Sequence, residues 1–145
     1  MTPGTILHDQ KFPFSDGTTG NKLVVLLTSL ADGYFYIGAK TTSKDKHKGK
    51  NAGCQHKDIY PNFFIPKGTS SFPVDTWVSL DEFYEFKSTE LIQRHFSGEI
   101  KTIGMLDNAL TIKLLNCVLQ SEDITLHQES AIKVTLEQLN ETAIF

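Results

Sequence analysis

The sequence lacks long apolar runs and has few cysteines. No stretch reaches the roughly 18 consecutive apolar residues of a membrane-spanning helix, so no membrane span is expected. The first residues, Met1-Thr2-Pro3-Gly4, have neither a basic segment nor an apolar core, and we expect no secretory signal there. The two cysteines, Cys54 and Cys117, cannot build a framework of several disulfides. A reducing cytoplasm is therefore the simplest compartment.

The chain does contain enough apolar sequence for one core. Its 145 residues, 39% hydrophobic and 21% charged, predict a single domain over residues 1–145. The first half reads as short β-type segments separated by turn residues, and the second half has helical spacing. This order predicts an α+β fold, with a strongly curved antiparallel sheet or small barrel packed against C-terminal helices.

Helical spacing appears in the second half of the chain. Thr89 to His95 predicts one short helix. From Leu106 to Gln120 the apolar residues recur at helical spacing, and Asp107 can cap the start. Ser121-Glu122-Asp123 has the composition of the N-terminus of a further helix, so residues 121–145 are expected to form a helical C-terminal extension.

Positive charge is concentrated in one segment, although the chain carries a formal net charge of −3. Of the 14 basic residues, six lie between positions 40 and 57, where Asp45 is the only acid. They are Lys40, Lys44, Lys46, Lys48, Lys50 and Lys57, interspersed with His47 and His56. Such a segment can meet phosphates at one local site, or it can be a solvated loop, and composition alone favours neither.

A polar loop, residues 15–21, leads directly into the aliphatic run Leu23–Leu27, with Lys22 at the junction. Gly17 and Gly20 permit tight turns with positive φ. The run itself is typical of a central strand. At its start, Lys22 could direct a point charge at a phosphate, although a solvated lysine at the start of a strand is the commoner case.

Hydroxyl residues end the strand that is expected to pair with this run. Ala31-Asp32-Gly33 predicts a hairpin turn, and the returning strand ends at Thr41-Thr42-Ser43. In an antiparallel pair, the start of one strand lies beside the end of the other. Lys22, the three hydroxyl residues and the Asp16-Gly17 loop are therefore expected on one rim, which could hold a ribose–phosphate backbone. Read alone, each feature favours an ordinary strand or turn role.

Two further features of the sequence favour structure over chemistry. His47, Cys54 and His56 have the spacing His-x6-Cys-x-His, which matches no standard zinc site, so no metal or other cofactor is predicted. Aromatic side chains can stack on bases, but here they are expected mainly in the core, Trp77 included. The other aromatic residues considered are Phe63, Phe64, Phe72 and Tyr84.

In this order along the chain, the motifs resemble those of the MazF/PemK-type toxins, small RNA-cleaving proteins of toxin–antitoxin systems. The resemblance covers residues 4–120 at the level of pattern. It rests on Gly4-Thr5-Ile6, Phe12 to Gly17, Lys22 to Leu27, Thr41-Thr42-Ser43, Thr76 to Leu80 and Gly98 to Leu106. The family's arginine falls on Lys22, its proline on Leu23 and its threonine on Thr42.

The resemblance implies an SH3-like β-barrel, usually homodimeric, that cleaves single-stranded RNA without metal and is neutralised by a cognate antitoxin protein in the RNA groove. On this interpretation Lys22 stabilises the charged phosphorane, Thr42 orients the phosphate or ribose, and Asp16 is the candidate acid or base. The candidate RNA-binding residues are Gly17, Gly20, Thr41, Ser43, Lys44, Lys46, Lys48 and Lys50.

Two alternatives remain open at this point. Lysine lacks the planar, bidentate phosphate contact of arginine, so the change to Lys22 is also compatible with a catalytically inactive SH3-like barrel that binds RNA or a protein partner. A third interpretation makes the C-terminal helices the working surface of an interaction protein. Cleavage products separate the first two hypotheses, and the salt dependence of RNA binding separates both from the third.

Overall fold

The computed structural model describes residues 1–29 and 35–144, and the hairpin turn predicted at Ala31-Asp32-Gly33 lies outside them. Seven strands and three helices occur in this part of the chain. The strands are β1 (Thr5–Pro13), β2 (Thr19–Leu26), β3 (Phe35–Thr42), β4 (Gly53–Gln55), β5 (Asn62–Ile65), β6 (Thr76–Lys87) and β7 (Ile100–Met105). The helices are α1 (Ser88–Phe96), α2 (Asn108–Val118) and α3 (Leu126–Ile144).

The seven strands form one antiparallel sheet in the order β4-β5-β6-β3-β2-β1-β7. The α+β class predicted from the sequence is confirmed. Within the described residues the outer strands β4 and β7 do not pair with each other, so the sheet is open and does not close into the predicted barrel. The segment 43–58, called the lysine-rich loop below, contains the short strand β4.

Helices cover both faces of the central strands. On one face, Val25 and Ile37 pack with Leu114 of α2 and Ile132 of α3. On the other face, the neighbouring residues of the same strands pack with Leu91 of α1. Successive side chains of a strand point to opposite faces, so a strand covered on both faces needs an unbroken apolar run. Such burial contributes about 1.5–3 kcal/mol for each large aliphatic side chain.

The start of α2 is confirmed and the start of α3 differs from the prediction. Asp107 caps α2, since its Oδ1 accepts a hydrogen bond of 2.7 Å from the Leu110 amide. The cap predicted at Ser121-Glu122-Asp123 is wrong, because the Ser121 hydroxyl instead donates to the Leu80 carbonyl of β6 at 2.6 Å. Thr125 and Gln128 exchange side chain–backbone hydrogen bonds of 3.0 and 3.1 Å, which is the capping box of α3.

A single disulfide joins Cys54 of β4 to Cys117 of α2, with their Cα atoms 5.5 Å apart. It anchors the end of the lysine-rich segment to the helical layer. Disulfides are rare in reducing compartments, so the cysteines do not support the cytoplasmic location that their low number predicts. Among the described residues, no helix has both the length and the apolar character needed to cross a membrane.

An ion-pair cluster ties α1 to the edge of the sheet. Asp9 of β1 is only 1% exposed. Its Oδ1 accepts hydrogen bonds from the Lys11 amide, at 2.9 Å, and from the Arg94 guanidinium of α1. Arg94 also binds the Glu99 carboxylate, and this hydrogen bond is the main reason why the pKa of Glu99 lies below its ordinary value. Asp9 Oδ2 is buried without a partner, so the pairing with Arg94 is what makes burial of this carboxylate tolerable.

Candidate functional site

A groove opens where β2 and β3 stop pairing. The last pair of the β2–β3 ladder is Val24–Lys40. Beyond this pair, the described end of β3 is paired with β6 and no longer with β2. Across the opening, the Thr41 hydroxyl donates to the Leu23 carbonyl at 2.9 Å. The start of β2 and the end of β3 are thus held at a fixed separation without a continuous ladder between them.

Two cavities form this opening, and Lys22 and Thr42 line both of them. The first has a volume of about 280 Å³ and the second of about 310 Å³. We call the pair the lysine groove. The polar residues of the first cavity include His8, Asn21, Thr41, Ser43 and Lys44, and those of the second include Lys40, Lys48, Tyr60, Ser79 and Asp81. The predicted meeting of Lys22 with the hydroxyls that end β3 is therefore present in the structure.

Positive charge converges on Lys22. Burial lowers the pKa of Lys22, and Lys40, Lys44 and Lys48 lower it further by repulsion. Lys40 is paired with Glu82 at 3.7 Å, whereas Lys22, Lys44 and Lys48 have no ion pair with a carboxylate in the described ranges. A bound anion would relieve this repulsion and favour the charged form of Lys22.

His8 adds a proton-transfer group that the sequence analysis missed. Its ring Nε2 lies 3.0 Å from Asn21 Oδ1, and the side chain lines the first cavity. When Nε2 carries the proton and donates to Asn21, Nδ1 is free to accept one. His8 pairs with Leu23, the residue after Lys22, across the β1–β2 ladder. From the sequence alone, the position of His8 could have been found only by predicting the register of β1 against β2.

The structure does not bring the Asp16 loop into the groove. Asp16 lies between β1 and β2, and its Oδ1 accepts hydrogen bonds from the Thr18 hydroxyl, at 2.6 Å, and the Thr18 amide, at 2.9 Å. Both hydrogen bonds lower the pKa of Asp16, and the bond from the Thr18 hydroxyl has the larger effect. Gly17 forms the turn with φ 88°, and Gly20 lies in β2. None of the three lines either cavity.

The lysine-rich loop contributes only some of its lysines to the groove. Lys44 lines the first cavity and Lys48 the second. Lys46 and Lys50 line neither, and Lys50 is paired with Asp45 at 3.6 Å. Two lysines of the loop therefore face the groove, and its other lysines face solvent.

Buried polar contacts hold this loop in place. Gln55 donates through Nε2 to the Gly49 carbonyl, at 2.9 Å, and to Asn62 Oδ1, at 2.8 Å. Its Oε1 accepts from the Asn51 amide at 3.1 Å. The indole N–H of Trp77 also donates to the Gly49 carbonyl, at 2.8 Å. These bonds give the loop a defined path along the groove.

Most of the aromatic side chains are structural, as predicted. Trp77 is 1% exposed and stacks on Phe64 with ring centroids 4.7 Å apart. Phe63 and Phe72 are also buried. Tyr60, which the sequence analysis did not consider, lines the second cavity with its side chain accessible.

His47, Cys54 and His56 cannot bind zinc together. Cys54 is bonded to Cys117, so it offers no thiolate. In the described part of the chain, no group of three or more His, Cys, Asp or Glu side chains is placed to hold a metal ion. The lysine groove supplies ammonium, hydroxyl and imidazole groups, which suit a phosphate rather than a cation.

Two comparisons with known proteins find no match for this chain. No protein-family model matches it, and no curated protein matches it either. Its candidate function is therefore an argument from the geometry of the lysine groove and the order of the motifs that form it.

Proposed function

We propose that this chain is a toxin-like endoribonuclease that binds single-stranded RNA in the lysine groove and cleaves it without a metal ion. The observation that carries the proposal is the convergence of Lys44 and Lys48 on the partly buried Lys22, beside the hydroxyl of Thr42. Ammonium groups that lack an ion pair and surround a concave opening favour a polyanion. The two cavities share Lys22 and Thr42 in their linings, and a backbone phosphate would sit at these two residues.

The chemistry needed is an attack of the RNA on its own phosphate. The 2′-oxygen forms a bond to phosphorus, the bond from phosphorus to the 5′-oxygen breaks, and a 2′,3′-cyclic phosphate and a 5′-hydroxyl result. Such a reaction requires a base, an acid and compensation of the charge on phosphorus.

The residues of the first cavity can be given these roles. His8 Nδ1 accepts the proton of the 2′-hydroxyl. Lys22 compensates the charge on the phosphorane, and its lowered pKa favours the transfer of its proton to the departing 5′-oxygen. The Thr42 hydroxyl donates to a phosphate oxygen. Asp16 receives no role here, because its loop does not line the groove.

The proposal includes membership of the MazF/PemK-like toxin family. Its support is that Lys22 and Thr42, the positions that match the family's arginine and threonine, line the same two cavities. Family membership would also mean that the open sheet is related to SH3-like barrels, that the chain forms a homodimer, and that a cognate antitoxin protein occupies the lysine groove. A cytoplasmic location also belongs to the proposal, since RNA is the substrate.

A second candidate is RNA binding without cleavage. The observation that favours it is Lys22 itself, because a lysine offers a point charge where an arginine would make two parallel hydrogen bonds to one phosphate. The groove would then hold the strand without stabilising the phosphorane enough for reaction.

Product analysis separates the two candidates. The purified protein is incubated in EDTA with a pool of long single-stranded RNA, and the fragment ends are identified. We expect discrete cuts with cyclic-phosphate ends, lost in Lys22→Met and Thr42→Val and weakened in His8→Gln. Lys113→Met, an exposed lysine of α2, is the matched control. Binding without cuts would exclude the nuclease and leave the second candidate, and absence of binding would exclude both.

A further inference from the structure

We propose that Tyr60, together with His47 and Lys48, forms a stacking site for one nucleobase of the bound strand, next to the phosphate at Lys22. The inference rests on the proposed RNA substrate and identifies where the lysine groove contacts a base. It adds two residues, Tyr60 and His47, that the order of motifs does not indicate.

The exposure of Tyr60 is the first observation. Its side chain is 48% exposed, whereas the nearby aromatic residues Phe63, Phe64 and Trp77 are buried. Tyr60 lines the second cavity, which Lys22 and Lys40 also line. An aromatic face left open beside cationic side chains is what single-stranded nucleic-acid sites use, because every base has a π-face that can stack on it.

The surroundings of the ring are the second observation. Lys48 Nζ lies 5.3 Å from the centroid of the Tyr60 ring, within cation–π distance. The His47 ring is 6.2 Å from Tyr60 between centroids and tilted by 44°. His47 adopts φ 61°, a left-handed conformation that is uncommon for a residue other than glycine. A base beside Tyr60 would thus meet a second ring, that of His47, and the cation of Lys48.

The backbone under Tyr60 is fixed, which is the third observation. The Tyr60 carbonyl accepts a hydrogen bond of 2.9 Å from Asn62 Nδ2, and the Pro61 carbonyl accepts one of 3.0 Å from the Leu80 amide. Asn62 is fully buried and also donates to Asp58 at 3.0 Å. A ring held on such a segment loses little further freedom when a base stacks on it, so more of the stacking energy contributes to affinity.

The second cavity connects the Tyr60 ring with the proposed phosphate position at Lys22. Its volume of about 310 Å³ is bounded by Tyr60 and Lys48 as well as by Lys22 and Thr42. A nucleotide whose phosphate contacts Lys22 can therefore extend its base within the same cavity towards Tyr60. The stacking site would then act on the nucleotide adjacent to the reacting phosphate.

The test compares two anionic chains of equal length, one with bases and one without. Binding of fluorescently labelled 2′-O-methyl RNA, which cannot be cleaved, is measured beside binding of an abasic ribose–phosphate oligomer. Tyr60→Ala should weaken binding of the RNA by about 5- to 150-fold and change binding of the abasic oligomer by less than about twofold. Tyr60→Trp should retain the affinity. Ile59→Ala, an exposed apolar neighbour outside the groove, should change neither.

The outcomes are distinguishable. A Tyr60→Ala variant that binds RNA normally, or that loses both oligomers equally, would overturn the stacking site and leave the phosphate groove intact. Equal binding of the two oligomers by the unaltered protein would do the same. If the unaltered protein binds neither oligomer, the proposed RNA function and the stacking site both fail.

Discussion

The salt dependence of RNA binding tests the lysine groove quantitatively. Within the described residues, three of its lysines, Lys22, Lys44 and Lys48, have no ion pair, whereas Lys40 is paired with Glu82. Each phosphate neutralised on a single strand contributes about −0.7 to the slope of log K against log salt. Three unpaired lysines therefore predict a slope of about −2.1, or a roughly 18-fold loss of affinity between about 50 and 200 mM salt.

Lys22→Met removes one of these charges and keeps most of the side-chain volume. The slope should become about −1.4, and the loss over the same interval should fall to roughly sevenfold. Fluorescence anisotropy with uncleavable RNA, repeated over a series of salt concentrations, measures both values. Lys113→Met should retain the original slope, because its lysine lies outside the groove. An unchanged slope in Lys22→Met, or an equal change in Lys113→Met, would refute the placement of a phosphate at Lys22.

Three stability predictions concern the frame around the groove. Arg94→Met leaves the buried Asp9 carboxylate unpaired and should lower the free energy of unfolding by about 3–5 kcal/mol. Adding Asp9→Asn to Arg94→Met should recover part of the lost free energy of unfolding. A double variant that is no more stable in urea than Arg94→Met alone would contradict the importance of the Asp9–Arg94 pair. Gly4→Ala places a Cβ 2.5 Å from Thr111 Oγ1 at φ 88°. It should cost about 1–3 kcal/mol, more than Gly17→Ala, whose Cβ meets no atom within 4 Å; equal thermal midpoints would contradict this. Reduction of the disulfide, which spans 63 residues, should cost about 4 kcal/mol, and an unchanged urea midpoint in dithiothreitol would exclude that contribution.

Local patterns predicted the elements whose stability depends on local chemistry. The aliphatic run after Lys22 is a central strand because helices cover both of its faces. Asp107 caps α2, and the apolar residues Leu114 and Leu115 lie on the buried side of that helix. In each case the signal lies within a few residues, so periodicity and capping preference were sufficient.

Long-range pairing was not predictable in the same way. His8 reaches the groove through the register of β1 against β2, and Ser121 is diverted from capping by a carbonyl of β6. Cys54 and Cys117 are distant in sequence, and only the packing of α2 against β4 brings them together. Tyr60 differs from its aromatic neighbours by exposure, which depends on the path of the loop.

The contact between Trp77 and the lysine-rich loop gives the molecule an intrinsic optical probe. Trp77 is the one tryptophan of the chain. Its indole is 1% exposed, stacked on Phe64, and bonded through its N–H to the Gly49 carbonyl. Indole emission responds to water and to hydrogen bonding, so release of Gly49 would shift the emission to longer wavelength. Tryptophan fluorescence can therefore report, without an added dye, whether the loop stays seated when a ligand enters the groove.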